Sequence, residues 1–155
     1  MRLHLLFITI SLLVVTASLK GQSYWQHLWS NKWSFSLSVV SGYADGTADV
    51  LRDKYSSSVF KNANEQFWNP SVSWVNKYKD WPTDTRAAFP GSKTWLVWMT
   101  DGWHLSKTIH LKSIQGAILT YNRPKHKRWW WLADFAIHSI SFSAGWHLAN
   151  KILTP

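Results

Sequence analysis

The chain has 155 residues, a length that suits one domain and is short for two. An apolar share of 46% excludes a wholly disordered chain, and the absence of cysteine excludes disulfides, thiol nucleophiles and cysteine-ligated metals. The formal net charge is +9. Tryptophan accounts for 13 residues, and such a high content is typical of proteins that meet a membrane, a carbohydrate or another protein.

The N-terminus has the pattern of a secretory signal. A basic start precedes an apolar run from Leu5 to Leu19, and Lys20 with small and polar residues follows it. Extended back to Leu3, the run is nearly long enough to span a bilayer, so an uncleaved anchor helix is the alternative. The sequence therefore predicts residues 1–22 as a signal peptide or N-terminal anchor helix, and residues 23–155 as a single mainly helical domain.

Two stretches leave the choice between helix and strand open. Trp33 to Val39 and Ser139 to Ser143 alternate apolar and polar residues, as strands of a small outer-membrane β-barrel do. Trp95 to Met99 and Trp129 to Leu132 are instead continuously apolar. Because the alternation is confined to two patches, we predict a mainly α fold, a small helical bundle, with the outer-membrane β-barrel as the alternative.

The middle of the chain is predicted to be rich in loops. Residues 56–91 are polar and contain turn signals such as Asn69-Pro70 and Pro90-Gly91. Five aromatic residues lie within this segment: Phe67, Trp68, Trp74, Tyr78 and Trp81. Leaving so many rings in water is costly, so we expect an ordered segment that its aromatic residues anchor on the helices.

Two further helical regions follow the middle segment. Thr94 to Tyr121 is stopped by Asn122-Arg123-Pro124, and Ser92 is predicted to cap its start. Trp129 to Leu153 is long enough for about six helical turns.

Small residues four positions apart predict close packing between helices. Gly42 and Gly46 form one such step, and Ser141 and Gly145 form another. This spacing allows two helix backbones to approach each other closely.

Acidic residues recur in a common local setting. In three pairs, which we call the acidic steps, an aspartate in an apolar stretch is followed by a second aspartate or a histidine. The pairs are Asp45 with Asp49, Asp101 with His104, and Asp134 with His138. The members of each step are three or four positions apart, which places them on one helix face. An ionised carboxylate in an apolar stretch needs a partner, so we predict that the three steps meet in one bundle core.

Three roles suit these side chains. All six are ligands for a divalent metal such as zinc or manganese, which helical bundles bind through such pairs. Asp101 with His104, and Asp134 with His138, also suit general acid–base catalysis by a histidine that the carboxylate orients. A structural role, in which each pair is a buried hydrogen bond, is the interpretation we favour. Asp101 and Asp45 also precede glycine and suit helix caps.

The strongest surface signal lies between the region from Thr94 to Tyr121 and the region from Trp129 to Leu153. Basic residues are followed there by indoles: Lys125, Lys127 and Arg128, then Trp129, Trp130 and Trp131. Basic side chains bind anionic headgroups, and indole rings prefer the boundary between membrane and water. We predict membrane lipid headgroups and an envelope protein as partners. Nucleic acid is not expected, because an exported chain rarely meets it.

Several stretches carry a resemblance to a known group of proteins. Asn62 to Lys79, Gly91 to Thr94, Thr100 to Leu105 and Ile137 to Leu148 resemble small exported proteins of Bacteroidota. This resemblance implies export and an envelope location, and no particular activity.

A weaker similarity is to VanZ-like membrane proteins, whose helices carry an aspartate followed one turn later by histidine or asparagine. Asp101 with His104 and Asp134 with His138 match that pattern.

Together these features predict a small accessory or structural protein, exported to the periplasm or associated with a membrane of a Gram-negative envelope. The alternative is an Asp/His-dependent hydrolase or metal-binding protein that acts on an envelope substrate.

Overall fold

Three long helices packed together form the body of the protein. The computed structural model describes residues 23–123 and 129–155. The helices are α1 (Tyr24–Ser30), α2 (Lys32–Asp53), α3 (Glu65–Trp68), α4 (Pro70–Ser73), α5 (Gly102–Thr120) and α6 (Trp130–Leu153). A two-stranded hairpin, β1 (Tyr78–Asp80) with β2 (Asp84–Ala87), lies between α4 and α5. The predicted mainly α fold is therefore confirmed.

Helix α2 is central and α5 runs antiparallel to it. Near the start of α2, the Ser34 hydroxyl donates to the Ala117 carbonyl near the end of α5 at 2.7 Å. Further along α2, Asp45 accepts a 2.6 Å hydrogen bond from the Lys107 ammonium near the start of α5.

Helix α6 packs on α2 in the parallel direction. The Ser38 hydroxyl lies 2.7 Å from His138 Nδ1, and two turns or more further on the Trp146 indole N–H donates to Asp49 at 2.9 Å. The contacts of α2 with α5 and with α6 therefore lie along its whole length.

The alternating stretch from Trp33 to Val39 is helical because its serines fit a helix face. Ser34, Ser38 and Ser41 are buried and spaced four and three residues apart. Their hydroxyls bond to carbonyl groups or histidine rings of neighbouring helices, so burial leaves these polar groups partnered. Trp33 points to solvent.

Glycine allows α2 and α6 to touch backbone to backbone. A Cβ atom on Gly42 would lie 1.9 Å from the Phe142 carbonyl oxygen, and one on Gly145 would lie 2.1 Å from the Val39 carbonyl oxygen. The close packing predicted from the two small-residue steps is confirmed.

The middle segment covers the end of the bundle where α2 ends and α5 begins. Trp68 packs where a Cβ on Gly102 would otherwise lie, and the Asn76 amide donates to the Thr100 carbonyl at 2.8 Å. The Trp81 ring lies 5.0 Å from the Trp74 ring, centroid to centroid. The predicted anchoring of this segment by aromatic residues is confirmed.

The predicted start of α5 is wrong. Ser92 is buried and its hydroxyl donates to the Lys77 carbonyl at 2.8 Å, so it caps no helix. The chain instead turns until Asp101, whose carboxylate accepts from the His104 backbone N–H at 2.9 Å. The capping role considered for Asp101 is confirmed, because its extended backbone and acceptor oxygens suit an N-cap.

Substituting Gly42 by alanine should destabilise the fold, because the new methyl group meets a carbonyl rather than a movable side chain. We expect the free energy of unfolding to fall by about 1–3 kcal/mol or more in chemical denaturation. Gly116→Ala is the matched control, since its Cβ would meet only the flexible end of Leu37 at 3.1 Å. Equal stability of the two variants would contradict the close approach.

Candidate functional site

A buried carboxylate joins three parts of the chain at the end of the bundle where α2 and α6 begin. Asp134, in the first turns of α6, is 2% exposed. It accepts hydrogen bonds from the hydroxyl groups of Tyr24 at 3.0 Å and Tyr121 at 2.5 Å. Its other contact is His27 Nε2 at 2.7 Å, which must carry the hydrogen because the carboxylate is an acceptor. We call these four residues the Asp134 network.

A second layer holds His27 in place. The Asn31 side chain accepts from the Asn122 backbone N–H at 2.6 Å and donates to the Asn122 carbonyl at 3.1 Å. Its amide nitrogen also lies 3.3 Å from His27 Nδ1. The buried Trp130 ring packs against the His27 ring at 5.2 Å between centroids. The chain just after α5 is thereby fixed to the start of α2.

The phenols of the network stay protonated at neutral pH. Burial, with the nearby charge and hydrogen bond of Asp134, raises the pKa of Tyr24 far above its usual value. Burial and the same carboxylate raise the pKa of Tyr121, although the charge of Arg123 opposes this. Both phenols therefore act as donors to the carboxylate.

The predicted pairing of Asp134 with His138 is wrong. In the described residues, the two side chains share no hydrogen bond, and Asp134 pairs with His27 instead. His138 turns its Nδ1 to the Ser38 hydroxyl, and its ring lies 4.6 Å from the Phe35 ring. Burial lowers the pKa of His138, so the ring is neutral at pH 7.

Asp101 and His104 do form the predicted pair. His104 Nδ1 lies 2.6 Å from the Asp101 carboxylate, which also accepts from the Thr100 hydroxyl at 3.0 Å. Burial alone would raise the pKa of Asp101, but the hydrogen bonds from the His104 side chain and backbone outweigh it and lower that pKa.

The expected meeting of the three acidic steps in one core does not occur. Asp101 caps the start of α5, whereas Asp134 bonds to Tyr121 just after its end, and the 19 residues between them span about 28 Å of helix. Asp45 pairs with Lys107 on α5, and Asp49 accepts from Trp146 on α6. Within 23–123 and 129–155, no three histidine or carboxylate side chains gather where they could hold a metal ion.

Sequence reasoning missed the N-terminal partners of Asp134. Tyr24, His27, Asn31 and Ser34 are polar residues spaced three and four apart, and all four are buried. That spacing is a helix-face signal. This row contains no acidic residue, so it lies outside the pairs that the aspartates mark in the sequence.

Five strongly exposed indoles lie close in sequence to residues that form or pack against the Asp134 network, and we call them the aromatic end. They are Trp25, Trp29, Trp33, Trp129 and Trp131, with exposed fractions of 66%, 72%, 67%, 79% and 56%. Trp130 of the predicted membrane interface is instead buried, because it packs within the bundle. The predicted basic residues Lys125, Lys127 and Arg128 lie outside the described residues.

Among the described residues, none of the helices is both long and apolar enough to cross a membrane. No protein-family model matches this chain, and comparisons with curated proteins and with solved structures also give no match.

Asp134→Asn should destabilise the protein, because the amide has one acceptor oxygen for the three donors that the carboxylate satisfies. We expect the free energy of unfolding to fall by about 2–4 kcal/mol in urea denaturation. Asp53→Asn, an exposed carboxylate beside Arg52, is the control and should leave stability unchanged within error. An unaltered midpoint for Asp134→Asn would show that the network is dispensable.

Stability should also decrease at alkaline pH. Above about pH 10 the unfolded chain ionises tyrosines that the folded protein keeps protonated, so the unfolded state binds fewer protons and the free energy of unfolding falls. Tyr24→Phe combined with Tyr121→Phe should flatten this decrease, since those two phenols have the raised pKa values. The check is urea denaturation between pH 8 and 11, and identical slopes would contradict the assignment.

Proposed function

We propose that this chain is a small accessory protein of the bacterial envelope that docks on an anionic membrane surface through its aromatic end. The observation that carries the proposal is the exposure of five indoles in the segments that also supply the buried Asp134 network and its packing. An exposed aromatic surface of this kind marks an interaction site in a folded protein.

The first three indoles follow one line on the outside of the bundle. Trp25, Trp29 and Trp33 are four residues apart and exposed, while Tyr24 just before the first indole and His27 between the first two are buried. The Lys32 ammonium lies 4.3 Å from the Trp29 ring centroid and 5.9 Å from that of Trp33. Indoles with an adjacent cation suit the headgroup region, where the rings enter the interface and the ammonium meets phosphate.

The charge at this end also favours an anionic surface. The stretches 23–37, 114–123 and 129–140 contain three charged residues apart from histidine: Lys32, Arg123 and Asp134. Asp134 is buried and hydrogen-bonded, whereas Lys32 and Arg123 are exposed, so cations alone face solvent from these stretches. The apolar N-terminal sequence and the basic run before Trp129, both known from sequence alone, support export and a membrane location.

Trp25, Trp29 and Trp33 form what we call the indole row. Removing the indole row should weaken membrane binding without unfolding the protein. In co-sedimentation with phosphatidylglycerol-containing vesicles, we expect the partition coefficient of the W25A/W29A/W33A variant to fall about tenfold or more. Binding of the unaltered chain should weaken with salt and yet persist, because salt screens charge and leaves the apolar contribution intact.

Trp95→Ala is the matched control for that experiment. Trp95 is as exposed as the row, at 73%, and belongs to the segment at the opposite end of α2. It should bind vesicles like the unaltered chain. Equal partitioning of the triple variant and the control, or no binding of the unaltered chain, would overturn the proposal.

A further inference from the structure

A groove runs between α5 and α6. Both helices pack on α2 and are separated from each other over part of their length, which leaves a cavity of about 800 Å³. This volume lies within the range of about 300–1,000 Å³ that small-molecule sites occupy.

The walls of the groove are apolar and partly uncovered. They include Ile114, Ile118, Trp131, Phe135 and Phe142. Ile118, Trp131 and Phe135 each keep more than half of their surface in solvent. An apolar occupant would remove this surface from water, which is favourable in proportion to the area covered.

The polar residues in the floor are already hydrogen-bonded. Ser38 contacts His138 Nδ1 at 2.7 Å, and the Ser41 hydroxyl contacts His110 Nδ1 at 3.0 Å. The His138 ring is neutral at pH 7, because burial lowers its pKa. The floor therefore needs no further hydrogen bonds or countercharge from an occupant. Such a floor suits a hydrocarbon chain better than a peptide or a sugar.

One end of the groove carries a cation. Tyr121 lines that end, and Arg123 follows two residues later with its side chain exposed. Among the described cations, Arg123 is the nearest in sequence to Tyr121 at this end of the groove. The carboxylate at the same end, Asp134, is occupied by its three donors. A guanidinium at the end of an apolar groove is complementary to a phosphate attached to an acyl chain.

The groove is also continuous with the proposed membrane-binding surface. Trp131 belongs both to the aromatic end and to the wall of the groove. A lipid chain could therefore pass from the membrane into the groove without crossing the hydrated face of the bundle.

We propose that the groove between α5 and α6 binds one acyl chain of an anionic phospholipid, with the phosphate beside Arg123. This inference deepens the proposed function, on which the choice of a membrane lipid rests. The experiment below uses a lysolipid without a bilayer, so the groove is tested separately from docking by the aromatic end.

The probe is palmitoyl-lysophosphatidylglycerol below its critical micelle concentration, titrated into the protein by calorimetry and detected by native mass spectrometry. We expect one lipid per chain. Ser139→Trp should weaken binding about tenfold or more, because Ser139 lines the groove and the indole would fill it. The matched control is Ile140→Trp, on the adjacent, exposed residue outside the lining, and it should bind normally.

The headgroup contact is tested with Arg123→Gln. This variant should bind the phosphatidylglycerol lysolipid several-fold more weakly and bind lysophosphatidylcholine as the unaltered chain does. Glycerol phosphate, which lacks the acyl chain, should not bind.

Equal affinity of Ser139→Trp and Ile140→Trp would overturn the groove as the site, provided that both variants melt like the unaltered chain. Binding of glycerol phosphate as tight as the lysolipid would overturn the acyl-chain assignment. If W25A/W29A/W33A loses vesicle binding and still binds the lysolipid, the two surfaces act separately and this inference stands.

Discussion

The close contact between α2 and α6 is the constraint on which the rest of the structure depends. Carbonyl oxygens of Val39 and Phe142 occupy the positions that Cβ atoms of Gly145 and Gly42 would need. Neither helix can slide along or rotate against the other without losing this backbone contact. The parallel register that results carries Asp134, two turns before Phe142, to the end of the bundle where α1 begins.

The Asp134 network then determines what that end presents to solvent. A buried carboxylate is costly unless it is fully hydrogen-bonded. The donors to Asp134 are Tyr24 and His27 of α1 and Tyr121, the residue after α5. Satisfying Asp134 therefore fixes the inner faces of these segments. On the opposite side of α1, Trp25 and Trp29 therefore face outward. Within α1, the buried Tyr24 and His27 and the exposed Trp25 and Trp29 thus follow from one helical periodicity.

Sequence alone predicted those features that depend on local spacing. The glycine step at Gly42 predicted the close packing, and the aspartate before Gly102 was recognised as suited to a helix cap, although the start of α5 was wrongly placed at Ser92. The partner of Asp134 was not predictable in the same way. A spacing of four residues shows that His138 shares its helix turn, but it does not reveal that His27, more than 100 residues away, lies closer. Such a partner depends on how the helices pack in three dimensions, and a local sequence pattern does not reveal this packing.

Oxidative footprinting by mass spectrometry tests our proposal that the aromatic end faces an anionic membrane. The chain is exposed to hydroxyl radicals alone and with phosphatidylglycerol vesicles, and the labelling of each tryptophan is compared. We expect vesicles to protect Trp25, Trp29, Trp33 and Trp129, while Trp95 is labelled as before. Unchanged labelling of Trp25, Trp29 and Trp33, or protection of Trp95 in their place, would show that another surface faces the membrane.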